Sequence, residues 1–249
     1  MTQTITWLIT GATRGIGHGF ITTLAQRPST TIIACVRDPS TASSQSLSTI
    51  PTAAGTRIIT IGLDSASSTA AASAIHDLQT NHGITKLDVI IANAAVGTST
   101  QPLTQTSIDQ MHEHFTVNTL APLLLFQAAL PLLEKAEAPK WVQLSSSLGC
   151  LTTTEPVPSG AYGISKAAVN FLTKKIHVEH EGLVAFAVHP GFVQTDMAYA
   201  SADGWGLPRD FVKATVEESV KDMLSLIDNA TRENTSGKFI IADGKELPW

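Results

Sequence analysis

Ile5 to Gly17 reads ITWLITGATRGIG, an apolar, β-branched run that ends at Thr10 and gives way to Gly11, Gly15 and Gly17 in GxxxGxG spacing. The run has the composition of a buried strand, and a helical pattern, Gly15 to Gln26, follows at once. The glycines therefore sit in a strand-to-helix turn. Glycine lets such a turn bend sharply and approach an anion closely, while the helix start beyond it offers unpaired N–H groups and a partial positive charge. A plain βα turn would have the same shape, but the strand before and the helix after are the context that a pyrophosphate cradle requires.

Six further short apolar runs follow, at Thr31 to Val36, Arg57 to Ile61, Leu87 to Ala92, Trp141 to Leu144, Val184 to Val188 and Phe239 to Ile241. Between them lie helical patterns at Ser67 to Asn81, Ser107 to Lys135, Gly160 to Glu181 and Val216 to Asn229. Alternating strands and helices predict a parallel sheet, because parallel neighbours need crossover connections. The expectation is an α/β chain of one Rossmann-type, doubly wound domain over all 249 residues, with seven parallel strands and helices on both faces. Pro39 to Ser73 is rich in Ser, Thr and Ala and reads as surface helix and loop around the strand at Arg57. Tyr199 to Arg209, with Gly204, Trp205, Gly206 and Pro208, is the candidate for a movable lid.

The chain is 43% hydrophobic and 15% charged, with a net charge of -5. Its 16 Lys and Arg form no basic stripe, which argues against nucleic acid as a partner. Cys35 and Cys150 make no disulfide framework or metal-ligand spacing, so a reducing, cytoplasmic setting is expected. The first residues carry no targeting pattern. Leu120 to Leu133 is apolar but holds Pro122, Gln127 and Pro131 and falls short of the roughly 20 residues a bilayer span needs. It predicts a buried helix that could also pair with a second subunit, and no membrane partner. The histidines form no ligand pattern, so no metal is expected, and His189 at a strand end reads as structural.

In YGISK, Tyr162 and Lys166 stand four residues apart and so share one helix face. A phenol with a pKa near ~10 is a poor acid at neutrality, and a nearby ammonium is expected to lower that value. Tyr162 would then act as a general acid toward a developing alkoxide. A pyrophosphate cradle followed by such a pair points to nicotinamide redox chemistry.

The motifs TGATRGIG, LDVIIANAA (Leu87 to Ala95), VNT (Val117 to Thr119), LSSS (Leu144 to Ser147), YGISK and HPGFVQT (His189 to Thr195) occur in an order that resembles the short-chain dehydrogenase/reductase family over nearly the whole chain. Within it, the pattern is most similar to fungal ketoreductases akin to norsolorinic acid ketoreductase and to sniffer-type carbonyl reductases. The resemblance implies NADP(H) as cofactor, held by Gly11, Thr13, Arg14, Gly15, Ile16 and Gly17 in the turn and by Asp64 at the adenine. Asn93 and Ala94, followed by Ala95 in place of the usual glycine, would line the ribose side, and Pro190, Gly191, Val193 and Thr195 the nicotinamide. Arg14 and Arg37 stand where members preferring NADP carry basic residues, and Val36 where members preferring NAD carry an acid. The alternative is that both arginines are solvated, with Asp38 neutralising Arg37.

For catalysis the resemblance implies Ser146 beside Tyr162 at the substrate oxygen, with Ser145 and Ser147 as neighbours in the same triplet. Lys166 would bind the ribose and tune Tyr162. Asn118 would kink its helix and hold a water near the lysine, or be a buried helix-capping Asn, or both. Sixteen positions separate Ser146 from Tyr162, and the residues in excess of the family's common spacing fall in Thr152 to Pro158. Cys150 reads as an apolar filler beside the pocket. Tyr199, Trp205 and Phe192 either stack on an aromatic substrate or cover the underside of the lid. The implied activity is NADPH-dependent reduction of a ketone or aldehyde, on a secondary-metabolite or aromatic carbonyl, by a possible homodimer or homotetramer. Alcohol oxidation, an epimerase or imine-reducing variant, and a non-catalytic NADP sensor are the alternatives.

Overall fold

A computed structural model describes residues 4–97 and 100–249. The strands are β1 (Ile5–Thr10), β2 (Thr30–Val36), β3 (Arg57–Gly62), β4 (Val89–Ala92), β5 (Lys140–Leu144), β6 (Val184–His189), β7 (Phe239–Ile241) and β8 (Glu246–Leu247). The helices are α1 (Gly15–Ala25), α2 (Ala42–Gln45), α3 (Ala70–Thr80), α4 (Ile108–Phe115), α5 (Ala121–Leu133), α6 (Gly160–Glu179), α7 (Asp196–Gly204) and α8 (Val216–Asn229). One sheet runs in the order β3-β2-β1-β4-β5-β6-β7-β8. It has eight strands, not the expected seven, and β8 runs antiparallel to β7. Two residues are too short to register as an apolar run; the turn at Asp243–Gly244, with Gly244 at φ 92, folds them back on β7.

Side-chain alternation sends each strand's residues to two separate cores. On one face, Trp7, Ile9, Ile32, Val142 and Phe186 pack against Phe20 and Leu24 of α1 and Val220, Met223 and Leu224 of α8. On the other, Leu8, Ile33, Ile90 and Trp141 meet Ile75 and Leu78 of α3 and Leu125, Phe126 and Leu132 of α5. Both faces are thus covered, as parallel strands demand.

β1 pairs with β2 on one side and with β4 on the other, so the strand order reverses between β1 and β4. Such a switch point opens a crevice at the C-terminal strand ends. Here its rims are tied together: the Thr10 hydroxyl accepts from the N–H groups of Asn93 (3.0 Å) and Ala94 (2.9 Å), and the Asn93 amide donates to Thr10 O at 2.7 Å.

The expected helix Ser107 to Lys135 is continuous but not uniform. Ser107 and Gln110 form a capping box at its start, and residues Thr116–Leu120 make a π turn, with Ala121 N–H reaching back to Thr116 O. The run 108–133 is thereby long and apolar enough, by length and composition, to cross a membrane, which the shorter reading of Leu120 to Leu133 had excluded. Its inward face is packed under the sheet. The expected lid is also more ordered than a loop: Thr195 caps α7 by accepting from Ala198 N–H, so Tyr199 to Gly204 are helical.

Candidate active site

The turn between β1 and α1 has the geometry of an anion cradle. Gly11 and Gly15 adopt φ of 68 and 53, values that side-chain-bearing residues rarely take. A Cβ on Gly17 would lie 2.2 Å from Gly11 O and 2.7 Å from the Asn93 amide, so only glycine lets α1 start this close to the strand. Arg14, the helix's N-cap residue, makes no side-chain capping bond, and no acid occupies the first turn. That leaves the N-terminal field of α1 unopposed, and the turn fits a dinucleotide pyrophosphate.

The arginines differ in their surroundings. Arg14 meets Asp196 at 3.7 Å, both side chains being exposed. Arg37, also exposed, makes no ion pair among the described residues. The neutralising partner considered for it, Asp38, turns to the N–H and hydroxyl of Ser40 instead, and those hydrogen bonds hold its carboxyl below the usual range. Asp64 accepts from Ala66 N–H at the end of β3. Asn93 spends its amide on Thr10, while Ile16, Pro190, Gly191, Val193 and Thr195 line the same cavity as Tyr162.

β5 delivers the serine triplet, and the structure separates its members. The Ser145 hydroxyl donates to Asn170 in the interior, whereas Ser146 lines the cavity with Tyr162 and its hydroxyl accepts from Leu148 N–H at 3.3 Å. Ser147 donates its N–H to His189 Nδ1 at 3.4 Å. Burial lowers His189 to about 4, so this ring is neutral and acts as an acceptor here. Gly149 permits the next contact: a Cβ there would lie 2.7 Å from the Lys166 carbonyl carbon, so the strand-end turn seats directly on α6.

Lys166 is 3% exposed and donates to Leu144 O at 3.0 Å; burial lowers its pKa from 10.5 to about 8. Its Nζ lies 5.6 Å from the Tyr162 ring centroid. The expectation that the ammonium lowers the Tyr162 pKa does not hold in this state. Burial raises the phenol to about 12, opposed by the Ser146 hydrogen bond. The ammonium is turned toward Leu144 O and is itself desolvated, so the phenol's loss of water dominates.

Asn118 sits in the π turn, 1% exposed. Its side chain accepts from Val96 N–H and donates to Val96 O, each at 2.9 Å, and donates to the Ser165 hydroxyl at 3.0 Å. Ser165 in turn donates to Tyr162 O at 2.7 Å. Asn118 thus joins the segment after β4 to the part of α6 that carries Tyr162, and its amide is taken up by these partners.

Ser145, Ser146, Ser147, Tyr162 and His189 border a cavity of about 340 Å³, with Lys166 and Asn118 outside its lining. Its walls add Gly97, Leu148 and Met197, which no sequence motif marked, and Glu155, Val157 and Leu207 from the segments Thr152 to Pro158 and Tyr199 to Arg209. Gly97 matters sterically, since a Cβ would lie 2.7 Å from Met197 Sδ and 3.3 Å from the Tyr162 ring. Phe192 and Trp205 also line the cavity, 6.1 Å apart. Tyr199 instead packs with Ala198 and Ala202 on the inner side of α7, beneath the guanidinium of Arg209. Cys150 packs with Ala187 and Phe239 and donates to Pro248 O at 3.1 Å.

Residues 6–204 match the family model described as short chain dehydrogenase. The chain is 41% identical over 251 residues to norsolorinic acid ketoreductase of Dothistroma septosporum, covering 98% of this chain and 92% of that protein. Identity to norsolorinic acid ketoreductase of Aspergillus parasiticus is 40% over 248 residues, covering 98% and 90%. Among solved structures, NADPH-bound carbonyl reductase from chicken fatty liver aligns with a TM-score of 0.87 at 30% identity, over 99% of this chain and 100% of that one. The carbonyl reductase Sniffer of D. melanogaster shares the fold, with a TM-score of 0.83 at 24% identity, over 99% of this chain and 100% of that one.

Proposed function

The chain belongs to the short-chain dehydrogenase/reductase family of oxidoreductases, and from that premise we propose that it is an NADPH-dependent reductase of an aromatic, secondary-metabolite-type ketone. The observation that carries the reading is that Ser146 and Tyr162 line one largely apolar cavity, with Lys166 of the same helix as Tyr162 buried and held on Leu144 O. When bound, the cofactor supplies hydride to the carbonyl carbon. Ser146 donates to the carbonyl oxygen and polarises it, and Tyr162 delivers its phenolic proton to the oxygen as charge develops there. Lys166 binds the ribose and answers the negative charge left on the phenolate. Asn118 holds the helix face by fixing Ser165 beneath Tyr162.

The residues that would hold NADPH are Gly11 to Gly17, with Arg37 and Arg14 toward a 2′-phosphate, Asp64 toward the adenine, and Pro190 to Thr195 at the nicotinamide end. The free guanidinium of Arg37 supports the phosphate-bearing cofactor, because a planar fork matches phosphate oxygens. Kinship with two norsolorinic acid ketoreductases and an aromatic-walled cavity support an aromatic polyketide-like ketone.

Binding of NADPH and NADH to purified protein, followed by absorbance decay on a panel of aromatic ketones, diketones and aldehydes, tests this reading. NADPH-selective turnover that Tyr162→Phe lowers by roughly 10²-fold or more is expected. Equal efficiency with NADH overturns the cofactor assignment, and turnover that survives Tyr162→Phe overturns the mechanism.

A further inference from the structure

The cavity's outer wall comes from two segments with little holding them to each other. One is residues 151–158, which contributes Glu155 and Val157. The other is the C-terminal end of α7 and the turn after it, which contributes Trp205, Leu207 and Phe211. The first segment is exposed along most of its length. Its start is anchored by Leu151 N–H and the Thr152 hydroxyl, both donating to Trp249 O. Its far end runs into Ser159, the N-cap residue of α6, and among the described residues Pro158 receives one hydrogen bond, from the indole N–H of Trp205 to Pro158 O at 2.7 Å.

Trp205 is well placed to act as an anchor. Its backbone N–H bonds back to Ser201 O and Ala202 O, and its ring is braced by Phe192. The preceding glycine seats closely on Thr100, where a Cβ would lie 2.5 Å from Oγ1. Asp203 and Arg209 close the following turn with hydrogen bonds of 3.1 and 2.6 Å. Pro158 stands two residues before α6, which carries Tyr162.

We propose that Trp205 determines substrate size selection, its indole N–H fixing residues 151–158 as the outer wall of the cavity while its ring forms part of the apolar surface. The proposal rests on the reading of this cavity as the carbonyl-substrate site. Large flat ketones reach the outer wall and need it in place. Small aldehydes are served by Ser146 and Tyr162 at the cavity floor and do not.

The full-length chain, Trp205→Phe and Trp205→Ala separate the two contributions. Phenylalanine keeps an aromatic ring and removes the N–H; alanine removes both. Hydrogen exchange across 151–158 and NADPH-dependent reduction of phenanthrenequinone and of propanal are measured on all three. In Trp205→Phe, exchange across 151–158 is expected to quicken roughly fivefold to tenfold, as the loss of one hydrogen bond dictates. KM for phenanthrenequinone rises by a similar factor, and by clearly more than KM for propanal does. Trp205→Ala raises KM for the large substrate further. Unchanged exchange in Trp205→Phe overturns the anchoring role. An equal loss on both substrates overturns size selection. If the wild-type chain reduces neither compound, it is the functional reading that fails, and the exchange comparison still decides whether Trp205 holds the wall.

Discussion

Replacing Lys166 with methionine is expected to stabilise the cofactor-free fold while abolishing turnover. The ammonium is buried, donates one hydrogen bond to Leu144 O and has no carboxylate partner among the described residues. Burial lowers its pKa from 10.5 to about 8. At about 1.36 kcal/mol per pH unit, holding the charged form there costs the fold about 3 kcal/mol at neutral pH. Methionine keeps an unbranched apolar side chain one heavy atom shorter and removes the charge, but leaves Leu144 O without its donor, at about 1 kcal/mol. The net gain is about 2 kcal/mol, or roughly 4–8 °C in Tm for a chain of this size. Between the folded value of about 8 and the unfolded value of 10.5, the unfolded chain holds a proton that the folded chain has released. Wild-type stability therefore rises with pH through that window, and the variant's advantage shrinks. Thermal unfolding of both proteins at neutral pH and near the top of the window is the assay, with NADPH turnover measured in parallel. A variant less stable than wild type at neutral pH, or an advantage that does not change with pH, refutes the argument.

Three further outcomes are expected. Gly17→Ala forces a methyl group into Gly11 O and the Asn93 amide, at a cost of about 1–3 kcal/mol in thermal stability and roughly a hundredfold in NADPH affinity, read by cofactor fluorescence. Arg37→Ser weakens NADPH binding about tenfold and leaves NADH binding unchanged, since only the phosphate-bearing cofactor meets the fork; calorimetric titration with both cofactors checks this. Glu155 is the only carboxylate among the described cavity-lining residues, which include no Lys or Arg. Glu155→Gln is therefore expected to raise kcat/KM for carboxylate-bearing aromatic ketones severalfold relative to their neutral methyl esters, in paired steady-state assays at low salt.

The layered architecture was legible because strands buried on both faces read as unbroken apolar runs, as in Ile5 to Ile9 and Trp141 to Leu144, and because the helices between them repeat with a helical period. The second β-residue pair of the terminal hairpin was not, since Glu246 and Leu247 owe their pairing to the turn at Gly244 and not to any pattern of their own. The π turn around Asn118 lies within an unbroken helical periodicity, and composition carries no mark of one extra residue per turn. In the site, the Tyr162–Lys166 spacing fixes a shared face but says nothing of solvent. Which way the Tyr162 pKa moves depends on how far the ring is buried and where Lys166 points. Assigning the triplet needed the third dimension too: Ser145 and Ser146 are chemically identical, and only the opposite facing of adjacent positions at the strand end sends one to Asn170 and the other to Tyr162. Glu155 and Val157 lie in a segment without periodicity, so their place in the wall follows from the bond between Pro158 and Trp205, 47 positions later in the chain.

The Thr10 hydroxyl and the Asn93 amide stitch the two sides of the strand-order reversal together before any ligand arrives. A mouth whose gauge is set by its own internal bonds has no search to make on encounter, so association with the dinucleotide is expected to follow one exponential with a rate linear in ligand concentration. Any slower, saturating phase in stopped-flow traces then belongs to segments away from these rims, and residence time, not capture, becomes the quantity that substitutions around the cradle tune.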